Sequence, residues 1–219
     1  MKRSRHWQWF HKALVSAAAL TVPFSFGETS WNQGNAGNHD WQLDTNWLPN
    51  TVPNSFAEVV NFGFTPPGVQ TISLNGIVTL GTLNFNNSHG GSFVLAPGTG
   101  GSLVFNTGSN ASTILNAGNG SNLISAPISL EEDLTAQVNA GTLVLSGIVS
   151  GSGFGLVKNG NGLLVLSGVN TFTGISTLNG GITLLTASAG LGTSAGGGII
   201  NDGATLALGP INAGGGGIS

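Results

Sequence analysis

The sequence predicts an all-β protein folded as a right-handed parallel β-helix, a solenoid with an N-terminal cap. Three observations lead there. Short aliphatic runs recur about every ten residues, the spacing of strands and tight turns rather than of helices. The segments between them are almost entirely Gly, Asn, Ser and Ala, with few prolines and no paired charges. Like sequence recurs in like places: Gly81-Thr82-Leu83, Gly141-Thr142-Leu143 and the variant Gly203-Ala204-Thr205-Leu206. Thirty-seven glycines argue against helix interiors. Only 6% of residues are Asp, Glu, Lys or Arg, and 40% are hydrophobic, the reverse of a disordered composition.

The predicted strands are VQTISL (69–74), IVTLGTLNF (77–85), SFVLA (92–96), SLVF (102–105), STIL (112–115), LTAQV (134–138), TLVLSGIV (142–149), LLVLSG (163–168), ISTL (175–178), GITLL (181–185), GIINDG (198–203) and TLAL (205–208). Their spacing alone also allows a sandwich or a barrel. Asparagine decides for the solenoid. It recurs in or beside turns at 75, 84, 116, 139, 159, 179 and 201, where it tolerates left-handed backbone and can form ladders between stacked rungs. Alternation along each strand then sends Leu143, Leu145, Leu164 and Leu166 into one interior stripe. Residues 68–219 accommodate roughly seven rungs of about twenty residues, a rod of about 35 Å.

The first 67 residues differ in kind. Residues 1–27 read as a secretory signal peptide: Lys2, Arg3, Arg5 and Lys12 precede the apolar run ALVSAAALTV (13–22), and Pro23 ends it. Ser25-Phe26-Gly27 then offers small residues at the positions a signal peptidase reads. The run is too short to span a bilayer as a helix. Residues 28–67 read as an N-terminal cap, because Trp31, Trp41 and Trp47 alternate there with turn residues. A stack of rungs exposes apolar side chains and unpaired backbone at its first rung, and aromatics can cover both. The same three rings could instead stack on sugars.

Charge excludes one class of partner. Beyond the leader, Lys158 is the single cation against eight carboxylates, so a nucleic-acid partner is set aside. There is no cysteine, hence no disulfide framework, which suits a chain that crosses a membrane unfolded. No later segment is long and apolar enough for a transmembrane helix.

Residues 153–185 read GFGLVKNGNGLLVLSGVNTFTGISTLNGGITLL. They resemble the passenger-associated (autotransporter-associated β-strand) repeat of bacterial autotransporters. The matching positions include Gly153, Gly155, Leu156, Lys158, Gly160, Gly162, Leu164, Leu166, Gly168, Asn170, Thr171, Phe172, Gly174, Gly180 and Gly181. Leu163, Phe172 and Ile175 stand where the repeat usually has Thr, Tyr and Gly. The resemblance implies a β-helical passenger over 68–219, exported to the cell surface, outer membrane or medium, with a stalk or adhesin-like role. Such proteins normally end in an outer-membrane barrel, which the 214–219 end (GGGGIS) does not resemble; the barrel is expected elsewhere or not at all. Partners implied are a surface glycan or a host protein.

Candidate chemistry is sparse, and no catalytic residue, cofactor or metal is expected. Gly192-Thr193-Ser194-Ala195-Gly196 matches G-x-S-x-G, but no histidine follows His89 to complete the chain order of a hydrolase triad. Glu131-Glu132-Asp133 is the one acidic cluster, a candidate for Ca²⁺ or glycoside chemistry and better read as a solvated charged turn. His39, Asp40 and Asp44 offer a weak metal set. Lys158 is expected to cap a turn in water. The two alternatives to a structural passenger are a carbohydrate-binding module built on the tryptophans and a β-helical polysaccharide-active enzyme.

Overall fold

In the computed structural model, residues 27–88, 90–108 and 111–210 are described. The signal-peptide reading over 1–27, apart from Gly27, and the 214–219 end both fall outside them.

The chain winds as a parallel β-solenoid of about six turns. Its first turn opens with β1 (Glu28–Trp31), β2 (Gly37–Asp40), β3 (Trp47–Leu48) and β4 (Val59–Phe62). Three full rungs follow: β5 (Val69–Leu74), β6 (Ile77–Leu80) and β7 (Thr82–Phe85); β8 (Ser92–Pro97), β9 (Ser102–Phe105) and β10 (Ser112–Asn116); β11 (Ser121–Ile124), β12 (Ile128–Leu130) and β13 (Leu134–Val138). The fourth comprises β14 (Thr142–Leu145), β15 (Val149–Ser150) and β16 (Leu156–Asn159). The last turns hold β17 (Leu163–Leu166) with β18 (Ser176–Leu178), then β19 (Gly181–Leu185) with β20 (Gly198–Ile200), then β21 (Ala204–Leu208).

Equivalent strands stack into three sheets. Sheet A runs β3-β1-β4-β7-β10-β13-β16-β18-β20, sheet B runs β2-β5-β8-β11-β14-β17-β19-β21, and sheet C runs β6-β9-β12-β15. Every pairing is parallel except β1 with β3. Alternation does the rest. Leu143 pairs with Leu164 and Leu145 with Leu166, and all four are fully buried. The interior is therefore a set of columns, such as Ile72, Leu95, Ile124, Leu145, Leu166, Leu185 and Leu208 in sheet B. In sheet A the column runs Val60, Leu83, Ile114, Ala136, Lys158, Leu178 and Ile200.

The rung count differs from the sequence expectation of about seven beyond residue 68. Rungs are unequal: Leu163 stacks on Thr142 after 21 residues (163 − 142), but Thr113 stacks on Thr82 only after 31 (113 − 82). The solenoid also begins earlier, because β1 and β4 already pair in parallel and β2 pairs with β5. Residues 28–67 thus form both the cap and the first turn. The antiparallel strand β3 covers the outer edge of β1, and Trp31, Trp41 and Trp47 fill the end of the core at 3%, 0% and 0% exposure. Their rings meet edge to face, Trp31 with Trp47 at 4.8 Å and Trp41 with Trp47 at 4.6 Å.

The corners need glycine because successive corners pass within van der Waals distance. A Cβ at Gly174 would lie 2.2 Å from the Phe154 carbonyl carbon. Gly181 adds a left-handed φ of +64° to a similar crowding against the Gly160 oxygen. Gly153 has φ +85° but open space around it. Gly174→Ala is therefore predicted to cost more than Gly153→Ala, by about 2 kcal/mol, because only the former forces backbone apart. Urea unfolding of the two variants followed by circular dichroism measures the difference; equal losses would show that corner spacing is not limiting.

Candidate functional site

Polar chemistry concentrates at two corners. The first joins sheet C to sheet A. After β12 the chain turns through Glu131, Glu132 and Asp133 into β13. Together with Asn106, Gly108 and Ala111 of the preceding turn and Gly153 and Phe154 of the next, they line an open groove of about 660 Å³. The three carboxylates are tied to neighbouring rungs. Glu131 accepts from the Asn106 amide. Glu132 accepts from the Thr107 N–H at 2.6 Å, from the Thr107 hydroxyl at 2.8 Å and from the Ser112 hydroxyl. Asp133 accepts from the Gly155 N–H at 2.7 Å. The charged turn of the sequence reading is thus also a staple, holding three successive corners together. A staple's acceptor oxygens face protein donors, so the arrangement suits rung alignment more than acid–base work.

The second corner joins sheet A to sheet B and lies inside the core. Asn122 donates to Asn116 Oδ1 and to Asn87 Oδ1, each at 2.7 Å, and accepts from the Phe93 N–H at 3.0 Å. Asn87 donates to the Gly91 carbonyl and Asn116 to that of Ala140, each at 2.8 Å. Gln70, one end of the same corner line, donates to the Gln33 carbonyl at 2.6 Å and to that of Asn35, and accepts from Trp31 Nε1 at 2.8 Å. Buried amides here satisfy the carbonyls that a tight corner turns inward. The sequence reading missed this network, although alternation carries the signal: STILN puts Asn116 on the face of Ile114, and SNLI puts Asn122 on the face of Ile124.

Lys158 takes the same post higher in the stack, which corrects the expectation that it caps a turn in water. It is an inward residue of β16 and fully buried. Small Ala136 beneath it leaves room for the stem. Its ammonium donates to the carbonyls of Asn159 at 3.0 Å, Gly160 at 2.8 Å and Gly180 at 3.1 Å. Burial pushes the ammonium down from 10.5 to about 8.

The other predicted residues divide cleanly. Leu156, Leu164, Leu166 and Phe172 are core. Asn170 is buried and staples three turns, accepting from the Val149 N–H at 2.8 Å and donating to the Gly190 carbonyl at 2.7 Å. Thr171 is exposed, and its N–H bonds the Val149 carbonyl. Gly155, Gly160, Gly162, Gly168, Gly174, Gly180 and Gly181 lie in or beside the turns between strands. At all of them except Gly180, an added Cβ would come within 3 Å of a neighbouring atom. Surface asparagines form the anticipated ladders: Asn84 donates to Asn61 and Asn179 to Asn159, each at 2.8 Å, and Asn201 continues the second ladder. Asn116 leaves that set, because its side chain points inward.

The three tryptophans do not offer faces to a sugar. Each is buried, and each indole N–H is engaged: Trp31 by Gln70, Trp41 by the Pro53 carbonyl at 3.0 Å, and Trp47 by the Trp41 carbonyl at 2.7 Å. His39 and Asp40 are neighbours on β2 and turn apart. His39 Nε2 lies 3.1 Å from the Asn35 carbonyl, and Asp40 accepts from the Gln42 N–H at 2.9 Å. Among the described residues no cluster of three His, Cys, Asp or Glu could hold a metal ion. Ser194 sits in an exposed turn, without the strand-to-helix elbow that G-x-S-x-G chemistry needs. No described helix is long and apolar enough to cross a membrane.

Two predictions follow from this geometry. Trp41→Ala and Trp47→Ala each lower unfolding stability by about 3–5 kcal/mol, the cost of emptying a packed aromatic site; a variant that loses a ligand but keeps its denaturation midpoint contradicts the cap role. For Lys158, the folded pKa lies below the unfolded one. The unfolded chain therefore binds more protons between pH 8 and 10.5, and stability rises across that window, by roughly 3 kcal/mol at most. Lys158→Met removes that rise, and urea midpoints of both proteins from pH 7 to 10.5 measure it; an unchanged slope means the ammonium is not desolvated.

No protein-family profile, curated protein or solved structure matches this chain.

Proposed function

We propose that the chain is a non-catalytic β-helical passenger, exported and displayed at the cell surface as a stalk with an adhesin-like role. The observation that carries this reading is the use made of residues 153–185. Most positions shared with the passenger-associated repeat are core side chains, glycines at crowded corners, and two polar side chains, Asn170 and Lys158, that bind backbone across rungs; Gly153, Gly180 and the exposed Thr171 are the exceptions. A repeat made of such residues extends a rod; it does not build a reaction centre. The leader read over 1–27, the missing cysteines and the low charge support export.

A polysaccharide-active enzyme would have to use the acidic groove, where every carboxylate already accepts a hydrogen bond from a neighbouring rung. A carbohydrate-binding module would need surfaces other than the buried tryptophans, and a glycan array over the intact protein tests for one. The display reading itself is tested in the cells that make the protein. Externally added protease should degrade or release the chain from intact cells while a cytosolic marker survives. Full protection, with cleavage only after lysis, would falsify surface display.

A further inference from the structure

The asparagine ladder on the outer face of sheet A has a gap. One outward column there runs Asn61, Asn84, Leu115, Gln137 and Asn159 over successive rungs. Asn61 donates to Glu28 Oε1 at 2.9 Å and accepts from the Asn84 amide at 2.8 Å. On the next rung Leu115 has no amide to offer, so Asn84 Oδ1 has no hydrogen-bond partner among the described residues. Gln137, on the rung beyond, donates to Asn139 of its own turn instead. The gap opens onto a groove of about 350 Å³, lined by Glu28, Ser30, Asn84, Asn86, Leu115 and Ala117 among others. Glu28 keeps its second carboxylate oxygen, and the Ser30 and Asn86 side chains have no partner among the described residues. Strands β4, β7 and β10 each have a neighbour on both sides, so the groove lies within the stack and not at an end of it.

We propose that this groove binds a neutral saccharide, which gives the adhesin-like reading its class of ligand and rests on that reading. Glu28 and Asn84 present open acceptors, to which sugar hydroxyls donate. Ser30 and Asn86 supply donors for the sugar's own oxygens. Leu115 and Ala117 offer the C–H face of a ring an apolar surface. No cation lines the groove, and Lys158, the one Lys or Arg among the described residues, is buried in the core, so an anionic sugar finds no counter-charge. The acceptors are also held in place beforehand. Asn61 bonds the Glu28 carboxylate on one side and the Asn84 amide on the other, so less ordering is lost when a ligand arrives. The volume is at the lower end for ligand sites, so a short stretch of saccharide fills it, with an expected Kd of about 1 mM.

Ligand-observed NMR of the purified chain with maltohexaose, cellohexaose and mannohexaose tests this, with oligogalacturonate as the anionic control and EDTA in every sample. At least one neutral oligosaccharide should bind saturably, and the anion should not. Leu115→Asn should close the gap, because the new amide can donate to Asn84 Oδ1 as Asn84 donates to Asn61. Binding should then weaken by about tenfold or more while the urea midpoint holds. Gly63→Leu should have the same effect by filling the groove, since Gly63 lines it and a Cβ there meets nothing within 4 Å. No neutral oligosaccharide bound at about ten times the expected Kd, equal binding of oligogalacturonate, or affinity unchanged in either folded variant would each overturn the proposal. Binding by the purified chain does not depend on where cells place it. Protease protection on intact cells would therefore remove the display reading and leave this site standing.

Discussion

Rung-to-rung contact is the constraint from which the rest of this molecule follows. Parallel strands stack at about 4.8 Å, so whatever one rung places at a position meets the same position of the next. That is tolerable along the strands, where aliphatic side chains lie on aliphatic side chains and backbone groups pair. It is severe at the corners, where three sheets meet and backbone passes over backbone. At Gly91 and Gly118 an added Cβ would stand 2.0 Å from a carbonyl oxygen of the preceding turn. The glycine content of the chain is thus a packing requirement at corners as much as a conformational one.

The same constraint explains the polar core. A corner that turns sharply points some carbonyls inward, where water cannot reach them, and an unsatisfied buried carbonyl costs on the order of 1–3 kcal/mol. The chain answers with side chains long or polar enough to reach those oxygens from inside: Gln70, Asn87 and Asn116 low in the stack, where Asn122 ties Asn87 to Asn116, and Lys158 higher up. Lysine is the costly version, since its charge must leave water; three carbonyl acceptors compensate in part, and its lowered pKa registers what they leave uncompensated. On the outside, Asn159, Asn179 and Asn201 do the analogous work by bonding one another. Inside the cap Glu58 serves donors instead, accepting from Thr29 and Ser55 hydroxyls at 2.8 Å and from the Asn54 N–H at 3.0 Å.

Much of the fold was legible because period-two alternation and glycine punctuation are local signals. The run VQTISL coincides with β5 and GITLL with β19, and the four leucines assigned to one stripe share it. The segments SNLI and LVKN escaped because Asn122 and Lys158 interrupt their aliphatic faces at inward positions, and ISL escaped because β12 has only three residues. Lys158 was misplaced for the same reason. A lone cation is normally an outside residue, and nothing in a single strand announces that the rung above and the adjoining turn will supply carbonyls. The tryptophans were legible as a cap because burial is the ordinary fate of large aromatics, but which groups would receive their N–H donors depends on loops that only the folded chain brings together.

Stability in such a stack is close to one-dimensional: each turn answers chiefly to its two neighbours. The aromatic-rich first turn, closed by β3, holds its neighbours from one side, and the aliphatic columns carry that order upward through rungs of changing length. A rod built this way tolerates the long connection between β19 and β20 or the loss of a sheet C strand beyond β15, because neither breaks the columns in sheets A and B. It does not tolerate a side chain at a crowded corner. Function in a rod of this kind can therefore be carried by length, by surface and by ends, and the residues most constrained by the fold are the glycines and inward side chains that no ligand touches.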